Sequence, residues 1–169
     1  MRTTTRPPAR RRLLTLVLAA FAATVTALGF ATPAFAISHS SAASQLRAAG
    51  ITWSSSGNCS DRYNSTCTSF EGIRQSTIDG IITFKRASGC GINITAGTEI
   101  GHSTNGTYTH WNGYKVDISK TTCVYNYIRT YYAYVGYISG WGYQYRAPSG
   151  NLYTDEGNHW DILYYTCGC

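Results

Sequence analysis

Apolar positions recur at helical spacing in three parts of the chain and alternate at every second position in several others. Ala43, Leu46 and Ala49 mark a short helix within Ser38–Gly50, with Gly50 as its stop. Phe70, Ile73, Thr77, Ile81 and Phe84 mark a longer one. Thr68-Ser69-Phe70-Glu71 fits a capping box at its start, and Gly89 ends it. A third helix is expected from Thr121 or Thr122 through Tyr134, with Val124, Ile128 and Tyr131/Tyr132 inward. Gly91–Thr95 and Tyr114–Ile118 alternate as strands. Short aromatic strands follow around Tyr143–Arg146, Asn151–Thr154 and His159–Tyr165, with Pro148-Ser149-Gly150 turning between two of them. Helices first, then strands, with one helix between, predict an α+β fold: a small, mostly antiparallel sheet flanked by two or three helices.

The N-terminus follows another logic. Arg2, Arg6 and Arg10–Arg12 precede an apolar stretch, Leu13 to Phe30, and Ala34-Phe35-Ala36 fits a small-residue cleavage site. Residues 1–36 are therefore expected to be a secretory signal peptide, leaving 37–169 as one secreted domain with no membrane attachment. A transmembrane anchor fits less well, because Thr15, Thr24, Thr26 and Gly29 interrupt the stretch. Five of the 14 basic residues and none of the eight acids lie in the leader. The remaining nine and eight nearly cancel, so the charge gives no reason to expect a nucleic-acid or membrane-surface partner. Six cysteines in an exported chain read as three disulfides, with Cys59–Cys67 closing the Ser/Asn/Gly-rich loop of Thr52–Thr66. A zinc-cysteine cluster would need C-x2-C pairs, which are missing.

Two segments carry the chemistry. In the first, His110 and Asp117 are six residues apart, with Gly113 between them to let the chain turn. In the second, Glu156 and His159 stand three apart at the opening of the last strand. His110, Asp117 and His159 as ligands leave a fourth position for water, the pattern of a catalytic zinc site, with Glu156 as general base. Asp161 or Asp155 could support a ligating histidine. Each spacing is weak alone, since a lone histidine is more often a surface or satisfied residue than a ligand.

Thr109–Asp117 resembles the S-x-H-x-x-G-x-A-x-D motif of the zinc D-Ala-D-Ala peptidase family, and Glu156-Gly157-Asn158-His159-Trp160 resembles its E-x-x-H-W motif. That family comprises D,D-carboxypeptidases, D,D-dipeptidases and L-alanyl-D-glutamate endopeptidases. The resemblance, running roughly from Thr68 to Tyr165, implies zinc on His110, Asp117 and His159, with Glu156 as base. It also implies a compact α+β fold and peptidoglycan peptides as substrate, with Trp160 and Arg86 expected at the substrate. Lys115 stands where the family has a small residue. The family's upstream oxyanion-stabilising arginine is missing from Ala96–His102, and His102 is expected to take the electrophilic role, with Lys85, Arg86 and Arg146 as alternatives. A non-catalytic wall- or glycan-binding module is the alternative function. Tyr125–Tyr145 is rich in tyrosine, read chiefly as sheet packing with one or two rings left for substrate or glycan. Nothing in the pattern demands an oligomer, so a monomer is expected.

Overall fold

The computed structural model describes Met1 and residues 35–168, so the expected leader lies, apart from its ends, outside the described residues. Residues 35–168 belong to a single compact unit. In chain order its elements are β1 (Ala36–Ile37), α1 (His39–Ala48), β2 (Thr52–Trp53), β3 (Ile73–Arg74), α2 (Gln75–Ser88), β4 (Asn93–Ala96) and β5 (Lys115–Ser119). They continue with α3 (Thr122–Tyr131), β6 (Ala133–Ile138), β7 (Gly142–Arg146), β8 (Leu152–Asp155) and β9 (His159–Leu163). β1 pairs with β3 apart from the main sheet, whose order is β2-β4-β5-β9-β8-β7-β6. Every pair in it is antiparallel except β2–β4, which is parallel.

The α+β class holds, with a correction of scale: the sheet has seven strands and is not small. One face packs on the helices. Val116 and Ile118 of β5 and Trp160 and Ile162 of β9 join Leu46, Ile78, Ile81, Phe84, Val124 and Ile128 in a single buried cluster. Burying such side chains supplies most of the folding free energy, about 1.5–3 kcal/mol for each large aliphatic group.

Two helix boundaries differ from expectation. α2 begins at Gln75, and its N-cap, Arg74, has no side-chain cap bond. Thr68 and Glu71 are used elsewhere. The Thr68 hydroxyl donates to the Ser54 carbonyl, and Glu71 accepts from the backbone N–H of His39 at the start of α1. The capping-box residues thus join distant segments, and the α1 N-terminus gains a favourable carboxylate. α3 begins as expected, with the Thr121 hydroxyl accepting from Val124 N–H, but it ends at Tyr131. Aromatic and β-branched residues favour strand from Ala133 onward.

Cys59–Cys67 forms as expected, Cys90–Cys123 ties the end of α2 to the first turn of α3, and Cys167 is also disulfide-bonded. Such bonds persist in oxidising compartments, which fits an extracellular protein. Among the described residues no helix is long and apolar enough to cross a membrane.

Candidate metal centre

Strand parity builds the floor of the site. The β5–β9 register sets Asp117 opposite Asp161 and Ser119 opposite His159. These side chains, with Lys115, therefore lie on the face away from the helices. Asp117 and Asp161 are both buried. Two carboxylates directly opposed across antiparallel strands repel one another, so this pair requires positive charge.

His110 arrives from a turn. The Thr109 hydroxyl accepts from Asn112 N–H, and the backbone N–H of Gly113 and Tyr114 donate to the carbonyls of His110 and Thr109. Gly113 has φ +76°, and a Cβ there would lie 2.6 Å from the Gly72 carbonyl oxygen, so glycine is required on both counts. Arg62, from the disulfide-closed loop, stacks on the Trp111 ring and donates to the carbonyls of Thr98 and Trp111, fixing this turn from outside. His110 donates from Nδ1 to the Gly97 carbonyl at 2.7 Å. Its Nε2 therefore faces the carboxylates, 3.2 Å from Asp117 Oδ1 and 3.5 Å from Asp161 Oδ2. Lys115 Nζ donates to the same Asp161 oxygen at 2.8 Å.

Further groups complete the ring. His159 Nε2 lies 3.5 Å from Asp117 Oδ2 and 3.4 Å from Glu156 Oε2. The His102 ring stacks on His110 with centroids 4.0 Å apart, and its Nε2 is 3.5 Å from Glu99 Oε1. Glu99 is buried and accepts from the backbone N–H of Ser69 and Gly97. Burial alone would raise its pKa, but the bonds from His102 and these amides outweigh that and hold it below the usual glutamate value. His102, His110, Lys115, Asp117, Glu156, His159 and Asp161 line a single cleft of about 500 Å³, whose wall also includes the partly exposed Trp141.

These residues fit a divalent cation. Among the described residues, the ligand atoms of His102, His110 and Asp117 lie within 4.8 Å of one another. Asp117 Oδ1 is buried and makes no aligned hydrogen bond, despite its approach to His110. An orphaned carboxylate oxygen of this kind is costly unless something cationic meets it. Without an ion, the carboxylates hold a proton in its place. Burial disfavours the protonated His110 ring, yet Asp117 and Asp161 outweigh it and push its pKa up to about 10. In the metal-free protein this stabilisation is fully present below the ordinary histidine value of 6.5 and is lost as pH rises through about 10. A metal ion on His110 would displace that proton. Calorimetry in buffers of different ionisation enthalpy is expected to show about one proton released per ion near pH 7.5, with affinity rising about tenfold per pH unit. Binding without proton release would contradict the placement of the ion on His110.

Two expected substrate contacts lie elsewhere. Trp160 is fully buried on the opposite face of β9, packed against Tyr125 and Tyr145, because it follows His159 by one residue in a strand. Arg86 is on α2 beside Gln45, Ala49 and Asp79, in a different depression. His102, expected as an electrophile, stands with His110 and Asp117 in a group that could hold a metal ion. Lys115 was expected only as a departure from a motif, and its position in β5 brings it into the cleft. Glu99 was missed altogether, and Asp161, expected as one of two possible supports, is the one that approaches His110. The chain was compared with protein-family models, curated proteins and solved structures, and none of them matches it.

Proposed function

We propose that the protein is a secreted zinc-dependent peptidase that hydrolyses peptidoglycan stem-peptide bonds, as a D-Ala-D-Ala carboxypeptidase or an L,D-endopeptidase. The observation that carries this reading is the meeting of His110, Asp117, His159 and Glu156 in one open cleft, with an unpartnered Asp117 oxygen among them. The two motif-like segments that supply these residues suggest the substrate class.

His110, Asp117 and His159 are the proposed ligands, and a bound zinc ion would supply Lewis acidity, polarising an amide carbonyl and acidifying water. The chain's own groups do the rest. Glu156 takes a proton from the attacking water as the C–O bond forms, and returns it to the amide nitrogen when the carbonyl re-forms and the C–N bond breaks. The Gly97 carbonyl and the two aspartates hold the His110 ring in one orientation. Lys115 provides the fixed positive charge that the missing arginine would give to the developing oxyanion, and Asp161 anchors it.

Purified, disulfide-intact residues 37–169 should release D-Ala, or a shortened peptide, from soluble stem-peptide fragments. A chelator should stop this and added zinc restore it. Binding to cell wall without release of any fragment would support the non-catalytic module instead. Lys115→Met is expected to lower kcat by about 10²–10³ with KM little changed and zinc retained. A variant with unchanged kcat would remove Lys115 from the chemistry.

A further inference from the structure

The β6–β7 hairpin carries an aromatic surface that the cleft does not use. Its register pairs Tyr134 with Tyr145 and Tyr137 with Tyr143, and Tyr143 and Tyr145 share strand parity. All four rings therefore lie on one face of the hairpin, the side on which Tyr145 touches the core at Trp160. Tyr145 is the last ring that is covered, whereas Tyr134, Tyr137 and Tyr143 are each more than half exposed. Grouped exposed rings of this kind mark an interaction site more often than a fortuitous surface.

The surface also leads to the cleft. A groove lined by Arg129, Tyr132, Tyr134 and Tyr143 shares Tyr143 with a second depression at the hairpin tip. That depression in turn shares Trp141 and Glu156 with the metal cleft. The turn between the strands closes with Trp141 N–H donating to the Ile138 carbonyl, and Gly140, at φ +79°, makes this possible. It sets the Trp141 ring in the cleft wall, within 5.2 Å of Lys115 Nζ.

We propose that this tyrosine face binds a β-linked glycan strand, which passes over the hairpin tip and so presents attached groups to the cleft. Four observations favour a glycan over other occupants. The exposed rings of the groove are tyrosines, which offer a flat apolar face to sugar C–H groups and a hydroxyl to their rims. The three exposed rings form one contiguous surface, with centroids 5.0 Å apart for Tyr137 and Tyr143 and 6.4 Å for Tyr134 and Tyr143 and planes inclined by 57° and 45°. Charge is sparse: Arg129 is held by the Tyr125 hydroxyl, and Lys120 at the tip is paired with Asp155, so a polyanion finds no basic stripe. A second copy of the chain is disfavoured at the open edge, because the β6 register shifts between Tyr134 and Gly136, and such bulges twist an edge away from strand pairing.

The identity of the glycan as the wall strand rests on the peptidase reading, but the binding test does not. The probe is chitotetraose, a soluble β-1,4-linked tetramer of N-acetylglucosamine, titrated into residues 37–169 in the presence of chelator. Saturable binding is expected, weakened by roughly threefold to tenfold in Tyr134→Ala or Tyr143→Ala and unchanged in Arg86→Ala, which lies on α2 in a different depression. On the wild-type protein, the tetramer should protect Tyr134 and Tyr143 from nitration, a measurement that does not depend on how any variant folds. Absence of saturable binding, or equal affinity in both variants with no protection of these rings, would overturn the proposal. Sedimentation showing a dimer that the Tyr134 or Tyr143 variant dissolves would also overturn it and assign the face to a second copy. Hydrolysis of stem peptides is scored separately, so its absence with glycan binding intact would count against the peptidase reading alone.

Discussion

Glu156→Gln is expected to lower turnover by at least about 10²–10⁴-fold while leaving the bound zinc in place. The substitution keeps the shape of the side chain and removes only its capacity to accept a proton. Glu156 is well suited to that task. Its Oε1 is buried and has no hydrogen-bond partner in the protein, an acceptor left open at the cleft wall. Burial, followed by the charges of Asp161 and Asp117, raises its pKa against the opposing pull of His159 and Lys115. A raised pKa makes the carboxylate a stronger base than an ordinary glutamate. It also sets the sign of the pH dependence. Below its pKa Glu156 is protonated and cannot accept, so activity should fall on the acid side. Two measurements decide the matter: the rate of stem-peptide cleavage and the metal content of the variant. Near wild-type turnover would remove Glu156 as base, and loss of zinc would make it a ligand.

What the sequence discloses here depends on whether a side chain's role is local. The β5 and β9 strands alternate cleanly, so Val116, Ile118 and Ile162 are legible as core, and Asp117 and His159 as residues of the other face. Trp160 follows the same parity and belongs with the core, which the motif-like run Glu156–Trp160 disguises. Thr68–Glu71 satisfies a local capping pattern, but Glu71 gains more from the α1 terminus, 32 residues away in sequence. No local rule anticipates that competition. Strand β6 was hidden for a related reason, since the tyrosines that continue the pattern of α3 suit a pleated surface as well as a helix. Lys115 and Asp161 become a pair only through the β5–β9 register, and Glu99 becomes a histidine support only once Gly97 and Ser69 turn their amides toward it. The ion-binding chemistry is thus visible in residue types, while the electrostatics that tune it are a property of the pairing of distant strands.

Removing ligands one at a time separates the two histidine assignments that the cleft allows. His110→Ala and Asp117→Ala are each expected to reduce zinc from about one ion per chain to none, because each withdraws one of the three proposed protein ligands. The informative comparison is His159→Ala against His102→Ala. In the proposed set His159 is a ligand, so its loss empties the site at ordinary zinc concentrations. His102 turns Nε2 toward Glu99 and stacks on the His110 ring. Its removal should loosen that ring and weaken affinity by about 10–100-fold, the usual cost of losing a supporting contact, with the ion still bound in excess zinc. The reverse outcome, an empty His102→Ala and a loaded His159→Ala, would assign the ion to His102, His110 and Asp117 and leave His159 to position Glu156 or substrate. Asp161 is not expected to compete as a ligand in either case. Burial would raise its pKa, but His110 and Lys115 hold it below the ordinary aspartate value, and Lys115 already occupies the oxygen nearest His110. Asp161→Asn should therefore retain the ion, and it should also free Lys115 from its anchor. The expected signature is a fall in kcat at full zinc occupancy, which loss of a ligand could not produce.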